Sequence, residues 1–238
     1  MNVKARLDGS SSGSSGCCRT FHVNAEVRIP IGNVTLTGDL EIPPDARGLV
    51  LFAHGSGSSR LSPRNQSVAR VLRTSGSGTL LFDLLTRVEE ADDAYTGHLR
   101  FNIPLLASRL AETTRWITSQ PDAQQLPIGY FGASTGGAAA LMAAAELGDG
   151  VHAVVSRGGR PDLAGEALPL VQSPTLLIVG GCDEEVLRLN EHAYAQLRCE
   201  KDLEVVPRAT HLFEEPGAME EVSRLAARWF QKHLEAQG

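Results

Sequence analysis

The pentapeptide Gly132-Ala133-Ser134-Thr135-Gly136 has the Gly-x-Ser-x-Gly spacing of a serine nucleophile on a sharp turn. Its flanks are the ones such a turn needs. The apolar run Pro127–Phe131 reads as a buried strand before it, and the Ala-rich stretch Ala138–Leu147 reads as a buried helix after it. Small residues two places either side of the serine let strand and helix approach closely. The helix N-terminus then lends positive partial charge to a reacting carbonyl. A serine hydroxyl is a weak nucleophile until a base takes its proton, and the base needs an acid to orient it. In sheets built this way the chain order is Ser, then Asp or Glu, then His. Asp183 comes just after the apolar run Pro174–Val179, and His211 lies beyond the run Leu203–Val206. Asp183 also suits a helix N-cap, with Glu184 as the substitute acid. His192 and His233 fall in helical patterns, His152 opens a strand, His98 lies in a polar segment and His54 sits in a glycine-rich loop. His211 is therefore the expected base.

Acyl transfer also needs donors for the oxyanion. His54-Gly55-Ser56-Gly57 follows the first buried run, where such a loop supplies one backbone N–H, and the residue after the nucleophile supplies the other. The expected donors are Ser56, or Gly55 in its place, and Thr135. The same glycines could open a dinucleotide loop, but Arg60 stands where its third glycine belongs. Arg157 ends another apolar run and could meet a substrate carboxylate, or pin its own loop. Cys182 abuts Asp183 and is expected to be a small buried thiol with no part in the chemistry.

These residues need strands to present them. Ala25–Pro30 and Val34–Ile42 read as a hairpin around Gly32. Continuous apolar runs at Gly48–Ala53, Thr79–Phe82, Pro127–Phe131, Val151–Val155 and Pro174–Val179 read as strands buried on both faces. Helical patterns at Arg64–Leu72, Ile103–Ile117, Ala138–Leu147, Glu185–Leu197 and Met219–Leu234 separate most of them. The expected class is α/β, a mostly parallel doubly wound sheet with an antiparallel N-terminal hairpin. Ser156–Ser173 is too short and too rich in Gly and Pro for a cap domain, and Leu84–Arg100 reads as a polar, acidic loop.

The chain has 238 residues, enough for one large core. Residues 1–20, with the run Gly9–Gly16 of serine and glycine only, are expected to form a flexible tail, and residues 21–238 one catalytic domain. A net charge of −6 lacks the basic footprint of a nucleic-acid binder, and no polybasic segment suits a membrane surface. Four cysteines, two of them adjacent at Cys17 and Cys18, fit reduced thiols in a cytoplasmic protein better than a disulfide framework.

Together these features resemble the α/β-hydrolase superfamily, and more narrowly the bacterial dienelactone-hydrolase-like group. The stretches that carry the resemblance are LVLFAHGSGSSRLSPRN, TLLFDLLT, GYFGASTGG, SRGGRPDLA and LLIVGGCDEEVLRLN. The resemblance implies the α/β-hydrolase fold with a minimal cap or none. It also implies a Ser134–Asp183–His211 triad acting on a small-molecule carboxylic ester or lactone. A serine triad needs no metal and no organic cofactor. One departure stands out: dienelactone hydrolases carry a cysteine where this chain has Ser134, which points to a general esterase. Thioesterase, peptidase and acyltransferase activities would use the same residues, and a non-catalytic binding protein could share the fold.

Overall fold

The computed structural model describes residues 22–234. The expected Ser/Gly tail, Cys17 and Cys18 lie outside them.

Eight strands form one sheet: β1 (Val23–Ile31), β2 (Val34–Ile42), β3 (Gly48–Ala53), β4 (Ser77–Phe82), β5 (Ile128–Ala133), β6 (Ala153–Arg157), β7 (Thr175–Gly180) and β8 (Lys201–Val206). Their spatial order is β1-β2-β4-β3-β5-β6-β7-β8. β1 and β2 pair antiparallel, β2 runs antiparallel to β4, and every remaining pair is parallel. β3 to β7 are buried at every position, as their unbroken apolar runs demand. β8 closes the opposite edge from the hairpin and is only partly covered.

Helices cover both faces. Helix α1 (Pro63–Thr74) packs on α6 (Ala218–His233) over Val50, Phe52 and Phe131. On the other face α3 (Ile103–Thr118), α4 (Thr135–Leu147) and α5 (Glu184–Gln196) cover Leu49, Leu51 and Tyr130. Alternate residues of one strand thus feed two separate cores, which is why period-2 polarity is missing from the central strands.

Leu84–Arg100 is not the loop its polarity suggests. Arg87–Thr96 forms helix α2, opened by a reciprocal capping box between Thr86 and Glu89 and closed by Gly97 with φ +68°. Glu89 also pairs with the buried Arg109 of α3, which fastens the helix to the body. Within Ser156–Ser173, Pro161–Leu170 winds into 3₁₀ turns. Among the described residues no helix is long and apolar enough to cross a membrane.

Candidate active site

The carboxyl ends of β3, β5, β6, β7 and β8 all open on one edge of the sheet. Ser134 sits between β5 and α4 with φ +51° and ψ −123°, a left-handed backbone that is costly for any residue but glycine. Crowding explains how the turn is held. A Cβ on Gly132 would lie 2.6 Å from the Gly136 carbonyl oxygen, and one on Gly136 would lie 2.1 Å from the Ala53 carbonyl oxygen. The Ser134 N–H donates to the Arg157 carbonyl at 3.3 Å, and the Ser134 carbonyl accepts from Gly137 and Arg160. Although Ser134 is the N-cap of α4, its hydroxyl makes no capping bond.

Asp183 is likewise the N-cap of α5 without capping it. Its Oδ2 instead accepts from His211 Nδ1 at 2.7 Å. That bond fixes the ring so that Nε2 is the acceptor nitrogen. Asp183 is mostly buried, and the His211 ring is 39% exposed. The histidine loop rests on the end of β6: a Cβ on Gly158 would meet the His211 carbonyl oxygen at 3.1 Å and Cε1 at 3.8 Å. The same β6 end holds the Ser134 amide, so nucleophile and base candidates share one seat. Among the described residues the Ser134 hydroxyl forms no hydrogen bond to His211.

Gly55 approaches so closely that a Cβ there would lie 2.9 Å from Ser134 Cβ. The next amide, Ser56, donates to the Thr135 hydroxyl oxygen at 3.0 Å. The side chain of Thr135 thus joins the loop after β3 to the turn that carries Ser134. His54 is buried and neutral. Its Nε2 accepts from the Leu84 N–H at 3.1 Å and its Nδ1 donates to the Gly55 carbonyl, while burial pushes its pKa down. It shapes the loop and leaves His211 as the base candidate. Sequence reasoning missed Arg60, which binds Asp83 at 2.6 Å and reaches Asp39 and Glu26 of the hairpin. Its bonds tie the loop after β3 to the end of β4 and to the middle of β2 and β1.

Arg157, the last residue of β6, is 5% exposed. Its guanidinium donates to Asn65 of α1 at 3.3 Å and stacks on Phe213, so neither its own loop nor open solvent holds it. Cys182 departs from expectation, because its thiol is free and exposed. It occupies a turn residue whose backbone, not side chain, is bonded, its N–H donating to Ala209. Changing Cys182→Ser should therefore leave kcat/KM within about twofold, and a larger loss at unchanged stability would bring the thiol into the chemistry.

A cavity of about 550 Å³ opens beside the Gly55–Ser59 loop. It mixes Leu84, Leu85 and Leu106 with Ser58, Glu90 and Arg100, so its walls are as polar as they are apolar. Among the described residues no group of three or more His, Cys, Asp or Glu side chains is placed to hold a metal ion.

A mostly parallel sheet with an antiparallel hairpin and a strained serine turn after its central strand defines an α/β-hydrolase. A dienelactone hydrolase from Anabaena variabilis is 59% identical, superposes with a TM-score of 0.88, and covers 90% of this chain and 99% of its own. The chain belongs to the dienelactone hydrolase family. A Mycobacterium tuberculosis protein named "Putative phosphoribosyl transferase" is 57% identical over 209 residues. The match takes in 88% of this chain and 46% of that protein, so the chain spans about half the length of the curated relatives it matches. Est1E from Butyrivibrio proteoclasticus shares the fold at 16% identity, with a TM-score of 0.73 over 87% of this chain and 98% of its own. No protein-family model matches the chain.

Proposed function

We propose that the protein hydrolyses short-chain carboxylic esters or lactones through an acyl-enzyme on Ser134. The observation that carries this reading is the 2.7 Å Asp183–His211 bond, seated on the same β6 end as the strained Ser134 turn. His211 Nε2 takes the Ser134 proton as the hydroxyl oxygen attacks the carbonyl carbon. The backbone N–H groups of Thr135 and Ser56 receive the oxyanion, the second after letting go of the Thr135 hydroxyl. His211 then gives its proton to the leaving alcohol, and water repeats the cycle on the acyl-serine. Asp183 keeps the ring oriented and stabilises its charged form. The phosphoribosyl transfer in the name of the mycobacterial relative belongs to a protein twice as long, and the turn at Ser134 favours acyl transfer for this chain.

The cavity beside the Gly55–Ser59 loop adjoins Ser134 through Gly55 and is the acyl pocket of this reading, and its mixed lining would limit the acyl length. Each CH₂ buried against an apolar wall contributes about 0.8 kcal/mol, and here charged and hydroxyl groups interrupt that wall. Across a series of nitrophenyl esters, kcat/KM is expected to peak at short chains and fall beyond about six to eight carbons. A maximum on a long-chain ester would refute the short-chain reading. Labelling by a fluorophosphonate should fall on Ser134, and a folded protein left unlabelled there would refute the acyl-enzyme.

A further inference from the structure

A buried guanidinium without a carboxylate is an expensive feature. Among the described residues Arg157 has no ion-pair partner, and its Nε has no hydrogen-bond acceptor. Its one side-chain hydrogen bond goes to neutral Asn65, and the like charge of Arg64 acts on it unfavourably. Burial pushes its pKa down to about 10, still cationic at neutral pH. Stability alone does not account for such a residue, since an apolar side chain of similar size would avoid the desolvation. Nor is it placed for substrate: it is 5% exposed, and Asn65 and the Phe213 ring occupy its guanidinium.

What Arg157 touches is the machinery. Its carbonyl accepts the Ser134 N–H at the strained turn. Its guanidinium carbon lies 5.7 Å from the centroid of the Phe213 ring, two residues after His211. Phe213 has φ +56°, so the histidine loop passes through a left-handed residue that the chain alone disfavours. The ring that must stay in place is the one the cation sits on, and such contacts strengthen when desolvated. Asn65 fixes the other side of the guanidinium to the first turn of α1.

We propose that Arg157 is a positioning residue: it holds the histidine loop through Phe213 and the serine turn through its carbonyl, keeping His211 and Ser134 in register. The inference rests on the acyl-enzyme reading given above. Because it trades stability for geometry, the two should separate on substitution.

The test uses the full chain and measures melting temperature, kcat, KM and the rate of fluorophosphonate labelling for Arg157→Met, Arg157→Lys and Phe213→Leu. Arg157→Met is expected to melt at or above the wild-type temperature. Its kcat and labelling rate should nevertheless fall about 10–100-fold, with KM within twofold, because a displacement near 1 Å in the reacting groups costs that much. Arg157→Lys should recover a good part of the rate. Phe213→Leu, which leaves the cation in place but removes its seat, should melt lower because Phe213 is fully buried. Where it stays folded it should nevertheless lose kcat with KM unchanged, and combining it with Arg157→Met should add little further loss of kcat. Wild-type rates in Arg157→Met would overturn the proposal. So would a loss in that variant confined to KM for carboxylated esters, which would make Arg157 a substrate contact, or an activity loss in it that follows a fall in its melting temperature. Absence of wild-type labelling at Ser134 would instead remove the acyl-enzyme reading and this inference with it.

Discussion

Ser134→Ala is expected to lower kcat by about 10⁴–10⁶ while the protein folds and melts as before. The hydroxyl caps nothing and is bonded to nothing in the free state, so its removal costs the fold little. The strain at φ +51° remains, and alanine tolerates that backbone no worse than serine does. His211→Ala should be comparably severe, because residues that act as one unit lose their effect together. Asp183→Asn should be somewhat milder, since the ring can stay in place while its charged form is less well supported. Initial rates on a short nitrophenyl ester check all three, with circular dichroism to confirm the fold. Near-wild-type turnover in Ser134→Ala would end the proposed mechanism.

Gly136→Ala should be the most damaging small substitution for the fold itself. The added Cβ would lie 2.1 Å from the Ala53 carbonyl oxygen and 2.7 Å from that of His54. Both are backbone atoms at the end of β3, so no side chain can swing away. The helix must lift from the sheet or the strand end must move, at a cost of about 3 kcal/mol or more. The same movement would displace Gly55 and Ser56, so activity should disappear in whatever fraction still folds. Chemical denaturation reads the first effect and esterase assay the second. A wild-type midpoint for Gly136→Ala would mean that α4 does not press on β3 as described.

Much of this was readable from the chain. Gly48–Ala53 and Val34–Ile42 are the strands that their sequences announce, because a strand buried on both faces has no polar positions and a half-buried strand alternates. Asp183 and His211 stand where strands end, and the rule that ligands gather there finds them without coordinates. Hydropathy alone hides the helix Arg87–Thr96, whose polar face is unbroken enough to read as a loop. Thr86, Glu89 and Gly97 carry the signal in full. Other facts have no local signature. Nothing near Cys182 tells whether its thiol faces water, and nothing near Arg157 tells that its partners are Asn65 and Phe213, which lie far from it along the chain. Likewise, the bond from the Ser56 amide to the Thr135 hydroxyl depends on how two loops meet, 79 residues apart.

The last strand gives the site a weak flank. β8 pairs only with β7, is partly open to water along its length, and carries Val205 exposed on its surface. Ser134 instead hangs from β5, which is buried at every position and flanked by neighbours on both sides. Local opening free energies follow such differences in coverage. Fraying at the β8 edge would therefore reach the histidine loop before the serine turn. The contact of that loop with Gly158, just after β6, and the burial of Phe213 are what hold the proposed base when the edge opens.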